Sequence, residues 1–212
     1  MKNVIFDLDG TLLNTLTDLT NSTNYALNEC NFPTHTIEEV RNMVGNGVEM
    51  LIRRAIPQTV SNMDFEKCFS KFKEHYIIHC EDNTTPYSGI IDLLKEIHKQ
   101  NSSISVASNK LQPAVQKLCD EYFSPYVKYA LGDCPELQRK PKPDMILKAM
   151  ELMSSNKDNT IYVGDSEVDI ATAKAAGIHC VSVLWGFRDK DFLIKNGATS
   201  FITKPIELLN FL

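Results

Sequence analysis

The feature that most restricts the fold of this chain is a regular alternation of helical and strand-like patterns from residue 87 onward. Apolar residues recur at helical spacing in the longer stretches, and each such stretch is followed by a short apolar run typical of a buried strand. Helices are predicted over 90–100, 113–122, 144–153 and 166–176, strands over 104–107, 127–131, 160–163, 180–184 and 200–202, and a last helix from Pro205. Strands separated by helices of this length predict a parallel sheet with helices on both faces.

One further strand is predicted at residues 3–8, and the stretch that follows it has a different character. Between residues 15 and 82 the apolar residues fall at helical spacing, and no run is typical of a strand. We therefore predict an α/β core domain formed by residues 1–14 and 83–212. An all-α domain of roughly four helices, residues 15–82, is predicted as an insertion into that core.

Composition narrows the possible classes of function. The chain has 212 residues, 43% of them hydrophobic, which is the usage of an ordinary globular protein. Its formal charge is −5 and it has no basic tract, so we expect no nucleic-acid partner. No apolar run reaches the roughly 18 residues that span a bilayer, and the first residues do not resemble a signal peptide. The six cysteines are scattered without a C-x-x-C pair, so we expect reduced thiols, a cytoplasmic location and no membrane partner.

Acidic and polar residues follow the predicted strands at the ends where parallel sheets bind their ligands. The first strand ends in Asp7 and Asp9, the second is followed by Ser108, and the fourth is followed by Asp165, with Asp169 one helical turn further on. Because the carboxyl ends of parallel strands meet at one edge of a sheet, we expect these four acids to converge. A hard divalent cation stabilises such a cluster through oxygen ligands, and Mg²⁺ is the leading candidate.

The spacing of the first two acids adds a chemical expectation. In an extended strand Asp7 and Asp9 point to the same side, so that one can attack a substrate while the other transfers a proton. Gly10 then allows a sharp turn close to a ligand.

Four motifs in this order resemble those of the haloacid dehalogenase-type phosphohydrolase superfamily. They are DLDGT at 7–11, Ser108 after the second strand, Lys140 in the run KPKP, and GDSEVD at 164–169. The stretches VGNGVEMLIRRA at 44–55 and LWGFRD at 184–189 further resemble the phosphoglycolate phosphatase-like branch. The resemblance covers the whole chain and implies a Rossmann-like core with an inserted helical cap domain.

The resemblance also implies catalytic and metal-binding roles. Asp7 is expected to be the nucleophile that forms an aspartyl-phosphate. Asp9 is expected to protonate the leaving oxygen and then to activate water as a base. Mg²⁺ is expected to bind the Asp7 carboxylate, the Asp9 carbonyl and Asp165, with Asp169 supporting the site directly or through water.

Substrate-binding residues are implied in the same way. Ser108 and Lys140 are expected to bind the phosphoryl oxygens, with Thr11 and Asn109 beside them. Lys142 offers a second lysine in the same run, and we favour Lys140 because it is the first residue of K-P-x-P.

The function predicted from these residues is Mg²⁺-dependent hydrolysis of a small anionic phosphate ester, with 2-phosphoglycolate as the leading candidate. Three alternatives remain open. One is a pyrophosphatase or nucleotide phosphatase, and another is a phosphosugar mutase like β-phosphoglucomutase. The third is a non-catalytic phospho-aspartate switch domain, although Asp9 and the insertion at 15–82 count against it. We expect a monomer or a homodimer whose partner is a small phosphorylated metabolite.

Two features of the predicted helical domain have competing interpretations. Arg53 can form an ion pair with Glu49 one helical turn away, or it can reach a carboxylate of the substrate. His75 and His79 have the spacing of a zinc-binding pair, but the neighbouring residues lack the glutamate of the known motif. We therefore assign both histidines to an ordinary helix.

Overall fold

The structure is a computed structural model that describes residues 2–212, so residue 1 of the predicted core domain lies outside the described residues. The chain divides into two compact units. Residues 2–14 and 86–212 form the first, called the core unit below, and residues 15–85 form the second, called the helical unit. No helix among residues 2–212 combines the length and the apolar character needed to cross a membrane.

The strands build one large parallel sheet and one small sheet. They are β1 (Asn3–Phe6), β2 (Leu13–Asn14), β3 (Thr85–Pro86), β4 (Ile104–Leu111), β5 (Val127–Asp133), β6 (Thr160–Gly164), β7 (His179–Val183) and β8 (Phe201–Ile202). Six of them form a sheet in the order β5-β4-β1-β6-β7-β8, and each neighbouring pair is parallel. The other two, β2 and β3, form a separate two-stranded sheet.

Helices follow most of the strands. They are α1 (Leu16–Glu29), α2 (Ile37–Met43), α3 (Val48–Ala55), α4 (Asn62–His79), α5 (Ile90–Lys99), α6 (Gln112–Phe123), α7 (Asp144–Leu152), α8 (Glu167–Ala176) and α9 (Lys190–Lys195). Short 3₁₀ helices lie at Lys157–Asn159 and Pro205–Phe211. The prediction of a parallel sheet with helices on both faces is confirmed.

The central strand shows why the sequence pattern predicts this sheet. Within β1, Val4, Ile5 and Phe6 are almost completely buried, because β4 and β6 flank the strand and helices cover its faces. A strand buried on both faces has a continuous apolar run instead of an alternating one. The strand is shorter than predicted and ends at Phe6, so Asp7 and Asp9 lie on the turn beyond it.

Three other elements of the core unit also differ from the prediction. The strand predicted at 104–107 continues to Leu111, because the polar residues after Ala107 are themselves buried and extend the pairing with β5. The helix predicted from Pro205 is a 3₁₀ helix, and α9 has no counterpart in the prediction.

The helical unit contains the four helices α1 to α4. Its apolar interior is formed by the facing sides of α1 and α4, with buried contributions from Leu19, Leu27, Phe65, Phe72 and Tyr76. Helix starts follow ordinary capping chemistry, since Thr36 and Ser61 each accept a hydrogen bond from the backbone three residues later.

The second boundary of the helical unit lies after Thr85, three residues beyond the predicted one. The reason is Asp18, a buried acid of α1. Its carboxylate accepts hydrogen bonds from the backbone N–H groups of Asn83 and Thr84 and from both of their side chains, at 2.8–3.0 Å. These bonds attach Asn83 and Thr84 to the helical unit.

Candidate active site

Three buried acids meet at the carboxyl edge of the large sheet. Asp7 follows β1, Asp165 follows β6, and Asp169 lies in the first turn of α8. One carboxylate oxygen from each lies within 4.8 Å of the others. The structure therefore brings together three of the four acids that were predicted to converge.

Lys140 provides positive charge inside this group. Its Nζ lies 2.8 Å from Asp7 Oδ1 and 2.8 Å from Asp169 Oδ1, and it donates a hydrogen bond of 2.9 Å to the hydroxyl of Tyr162. Although burial lowers the pKa of Lys140, the neighbouring Asp169 and Asp7 raise it above its ordinary value, so the side chain stays charged. Lys142, the other lysine of the KPKP run, is exposed.

Asn109 fixes the main chain of Lys140. The side-chain amide of Asn109 donates to the Lys140 carbonyl at 2.9 Å and accepts from the Lys140 N–H at 2.8 Å. Both residues are buried. Asn109 was predicted to contact the substrate, and in the structure its side chain is hydrogen-bonded to the main chain of Lys140.

Asp169 orients the same lysine from the other side. Its Oδ1 accepts from Lys140 and from the hydroxyl of Tyr162 at 2.9 Å. Its Oδ2 accepts from the N–H and the hydroxyl of Ser166 at the start of α8, which forms a capping box. Every oxygen of Asp169 therefore has a protein partner.

Negative charge in the group exceeds the positive charge that Lys140 supplies. Burial raises the pKa of Asp7 to about 7, with Lys140 opposing the shift and Asp169 adding to it. Burial also raises the pKa of Asp165 well above its usual range, and Asp169 and Asp7 raise it further. Three hard oxygen donors with uncompensated buried charge fit a divalent cation.

Glycines allow the chain to approach these acids closely. Gly10 has a φ of +79°, in the left-handed region that favours glycine, and a Cβ at this position would overlap the Asp165 carboxylate. A Cβ at Gly186 would overlap the Asp165 side chain, and one at Gly164 would overlap Asp169. The positive φ of Gly10, within the DLDGT motif, confirms the sharp turn expected there.

The carboxylate of Asp9 is not part of the three-acid group and pairs with a different lysine. Its Oδ1 lies 2.6 Å from Nζ of Lys110, whose side chain is 0% exposed, while the Asp9 side chain is 17% exposed. Of the four acids predicted to converge, the structure groups three, and a second buried lysine pairs with Asp9. The predicted role of Asp9 at the metal stays a prediction. The sequence analysis missed Lys110, and the available signal was its position two residues after Ser108 on the same strand.

Ser108 and Thr11, two further residues predicted to bind the substrate, are both buried. The hydroxyl of Ser108 accepts a hydrogen bond of 3.3 Å from the Lys110 N–H. The side chain of Thr11 is fully buried, and its hydroxyl has no hydrogen-bond partner among residues 2–212. The carbonyl of Thr11 accepts from the indole N–H of Trp185 at 3.0 Å.

Most of the chain, residues 4–183, matches the family model described as haloacid dehalogenase-like hydrolase. The chain belongs to this family. It is 32% identical to a phosphoglycolate phosphatase of Pseudomonas putida over 190 residues, which are 87% of this chain and 70% of that protein. It is 30% identical to phosphoglycolate phosphatase 1 of Pseudomonas aeruginosa, with 97% of this chain and 78% of that protein covered.

A solved structure from the same family agrees with these relatives. It is a candidate phosphoglycolate phosphatase from Lactobacillus delbrueckii subsp. bulgaricus, with a TM-score of 0.93 and 34% identity. The match covers 98% of this chain and 97% of that one. The predictions of a haloacid dehalogenase-like hydrolase, of its phosphoglycolate phosphatase-like branch and of a phosphatase are confirmed.

In this haloacid dehalogenase-like hydrolase, Arg53 lies on α3 of the helical unit. Its guanidinium donates to Oε1 of Glu49 at 3.0 and 3.1 Å and lies 3.7 Å from the ring centroid of Phe65. The side chain is 40% exposed. The structure of the helical unit therefore shows the ion pair with Glu49, which was one of the two interactions predicted for Arg53.

Proposed function

We propose that this chain is a Mg²⁺-dependent phosphomonoester hydrolase in which Asp7 attacks the substrate phosphorus and forms an aspartyl-phosphate. The observation that carries this proposal is the position of Asp7. Its carboxylate is buried beside two further acids and lies 2.8 Å from the ammonium group of Lys140. A covalent intermediate divides one difficult hydrolysis into two easier steps.

Lys140 and Ser108 bind the phosphoryl oxygens in this proposal. The ammonium group of Lys140 is oriented by Asp169 and Tyr162, and its main chain is fixed by Asn109. A charge held in place by such contacts needs little rearrangement when negative charge develops on the phosphoryl oxygens.

The bound cation is proposed to be Mg²⁺. Asp7, Asp165 and the main-chain carbonyl of Asp9 would hold it, with Asp169 in support. The donor set of carboxylate oxygens and the excess of buried negative charge support this assignment. When bound, the cation would neutralise negative charge on the phosphoryl oxygens.

Asp9 transfers the protons of both steps. It protonates the leaving oxygen when Asp7 attacks, and it then removes a proton from the water that hydrolyses the intermediate. The side chain of Asp9 is 17% exposed and that of Asp7 is 10% exposed, which supports the access of Asp9 to substrate and water. Positioned groups of this kind contribute about 10²–10⁴-fold to the rate.

The proposed substrate is 2-phosphoglycolate. Relatives with 30–32% identity that are named phosphoglycolate phosphatase support this choice. The helical unit is proposed to act as a cap domain, and Arg53 would exchange Glu49 for the carboxylate of the substrate. The protein would act in the cytoplasm, as a monomer or homodimer, on a small phosphorylated metabolite without nucleic-acid or membrane partners.

A phosphate-release screen of the purified protein with Mg²⁺ tests this function. The panel contains 2-phosphoglycolate, pyrophosphate, nucleoside monophosphates and β-glucose 1-phosphate. We expect the highest kcat/KM on 2-phosphoglycolate, and less than about a tenth of wild-type kcat for Asp7→Asn. An Asp7→Asn variant that keeps more activity would rule out Asp7 as the nucleophile. Isomerisation of the sugar phosphate without phosphate release would show a mutase instead.

A further inference from the structure

The strongest unassigned feature of the core unit is the buried pair of Lys110 and Asp9. The side chain of Lys110 is completely buried, and its Nζ lies 2.6 Å from Asp9 Oδ1. A buried ammonium group is unfavourable unless it is paired, so its presence requires a specific partner. Asp9 is that partner, and no role in the proposed reaction has been given to Lys110.

The main chain around Lys110 is held closely. Lys110 belongs to β4 and lies two residues after Ser108, and the pairing of β4 with β5 shifts register between Ala107 and Leu111. The side chain of Gln112 bridges to β5, donating to the carbonyl of Ala130 at 3.0 Å and accepting from the N–H of Gly132. The chain that carries Lys110 is therefore connected to β5 by side-chain hydrogen bonds of Gln112 as well as by the strand pairing.

The ion pair fixes one side of the Asp9 carboxylate. It uses Oδ1, while Oδ2 has no hydrogen-bond or ion-pair partner among residues 2–212. Asp9 lies on a turn after β1, where its side chain has no regular strand geometry to orient it. A carboxylate held at one oxygen can present the other oxygen to a substrate in a constant orientation.

We propose that Lys110 is a positioning residue that holds Asp9 where it transfers protons to the leaving group and from water. The inference rests on the proposed function, since it deepens the role given there to Asp9. It assigns different acids to the two buried lysines. Lys140 contacts Asp7 and Asp169, whereas Lys110 contacts Asp9.

Leaving-group dependence separates this role from general damage to the site. An alkyl phosphate needs a proton on its leaving oxygen, whereas p-nitrophenyl phosphate needs little protonation. With Mg²⁺ present, Lys110→Met should reduce kcat/KM for 2-phosphoglycolate about tenfold more than kcat/KM for p-nitrophenyl phosphate. The ratio kcat/KM reports the attack step alone, whereas the hydrolysis of the intermediate is common to both substrates. The KM values of both should stay within about twofold, because the proposed phosphate ligands Ser108 and Lys140 are unchanged. Equal losses on both substrates would overturn the proposal.

Two further variants control this comparison. Lys142→Met removes the same charge from an exposed lysine and should leave both rates unchanged. Lys110→Gln keeps a donor at the position and should restore part of the loss on 2-phosphoglycolate. If Lys110→Met does not fold, as judged by its thermal unfolding, the ratio of the two rates in Lys110→Gln decides the question.

A double variant tests whether Lys110 acts through Asp9. In an Asp9→Asn background, Lys110→Met should cause no further selective loss on 2-phosphoglycolate, because the group it positions is already absent. A full additional loss would show that Lys110 contacts the substrate itself and would overturn the positioning role. If Asp9→Asn alone shows no selective loss, the proposed function of Asp9 fails. If Asp9→Asn behaves as expected and Lys110→Met does not, only this inference fails.

Discussion

Replacing Asn109 by alanine should weaken both the core unit and the reaction, because Asn109 connects the end of β4 to the loop that carries Lys140. The substitution removes two buried hydrogen bonds, one to the Lys140 carbonyl and one from its N–H. Each contributes about 0.5–1.5 kcal/mol, and two buried main-chain groups lose their partners, so we expect a loss of about 2–4 kcal/mol in unfolding free energy.

The effect on catalysis follows from the same contacts. Without Asn109, the main chain of Lys140 is free to shift, and small displacements of a positioned charge reduce rates strongly. We expect kcat to fall about tenfold to a hundredfold. Asn109→Asp provides a second test, since it keeps an acceptor for the Lys140 N–H but places a carboxylate oxygen against the Lys140 carbonyl. It should be at least as damaging as Asn109→Ala.

Urea unfolding followed by the fluorescence of Trp185 measures the first effect. Trp185 is the single tryptophan of the chain and lies in the core unit, so its signal reports on the unit that contains Asn109. The matched control is Asn210→Ala, which removes an exposed asparagine of the same unit, in the 3₁₀ helix Pro205–Phe211, and should change stability by less than about 0.5 kcal/mol. An Asn109→Ala variant with unchanged stability and a raised KM would refute this reasoning. It would indicate that Asn109 contacts the substrate directly.

Three further predictions concern the metal, the pH dependence and Arg53. Mg²⁺ should raise the thermal unfolding temperature of the wild-type protein but not that of Asp165→Asn, because this variant lacks one donor of the three-acid group. An equal rise in both proteins would argue against this site. Burial, together with the charge of His79, lowers the pKa of His75 below its ordinary 6.5, so the unfolded chain takes up a proton first as the pH falls. Stability should therefore be fully present above pH 6.5 and decline below it, and His75→Gln should show a smaller decline in unfolding experiments at pH 7 and pH 5. Arg53→Ala should raise KM for 2-phosphoglycolate about tenfold and leave kinetics with p-nitrophenyl phosphate nearly unchanged; unchanged KM for both would restrict Arg53 to its pairing with Glu49.

The sequence predicted the large sheet well because its strands are buried on both faces. Val4, Ile5 and Phe6 form a continuous apolar run that has few alternatives in a soluble fold. Prediction was weaker where buried residues are polar. The end of β4 was predicted at Ala107, although the strand continues through three buried polar residues to Leu111. The sequence alone does not show whether a lysine is buried or exposed, so the predicted strand excluded these residues.

The site was predictable to the extent that its residues occur in short local motifs. Asp7, Asp165 and Asp169 were identified from strand ends and spacing, and the structure brings them together. The pairing of Lys110 with Asp9 spans 101 residues, and that of Asn109 with Lys140 spans 31 residues. Contacts at such separations depend on how the strands pack, which a single sequence does not reveal.

The positive charges near the site are unevenly distributed among its acids. Lys140 contacts Asp7 and Asp169, and Lys110 contacts Asp9. Among residues 2–212, no lysine lies within ion-pair distance of Asp165, whose Oδ2 accepts only the N–H of Phe187 at 2.7 Å. Burial raises the pKa of Asp165 well above its usual range, with Asp169 and Asp7 adding to the shift and the N–H of Phe187 and the charge of Arg188 opposing it. An ionised Asp165 is therefore costly in the protein alone and becomes favourable beside a divalent cation, so Asp165 is the acid whose replacement should affect cation binding most.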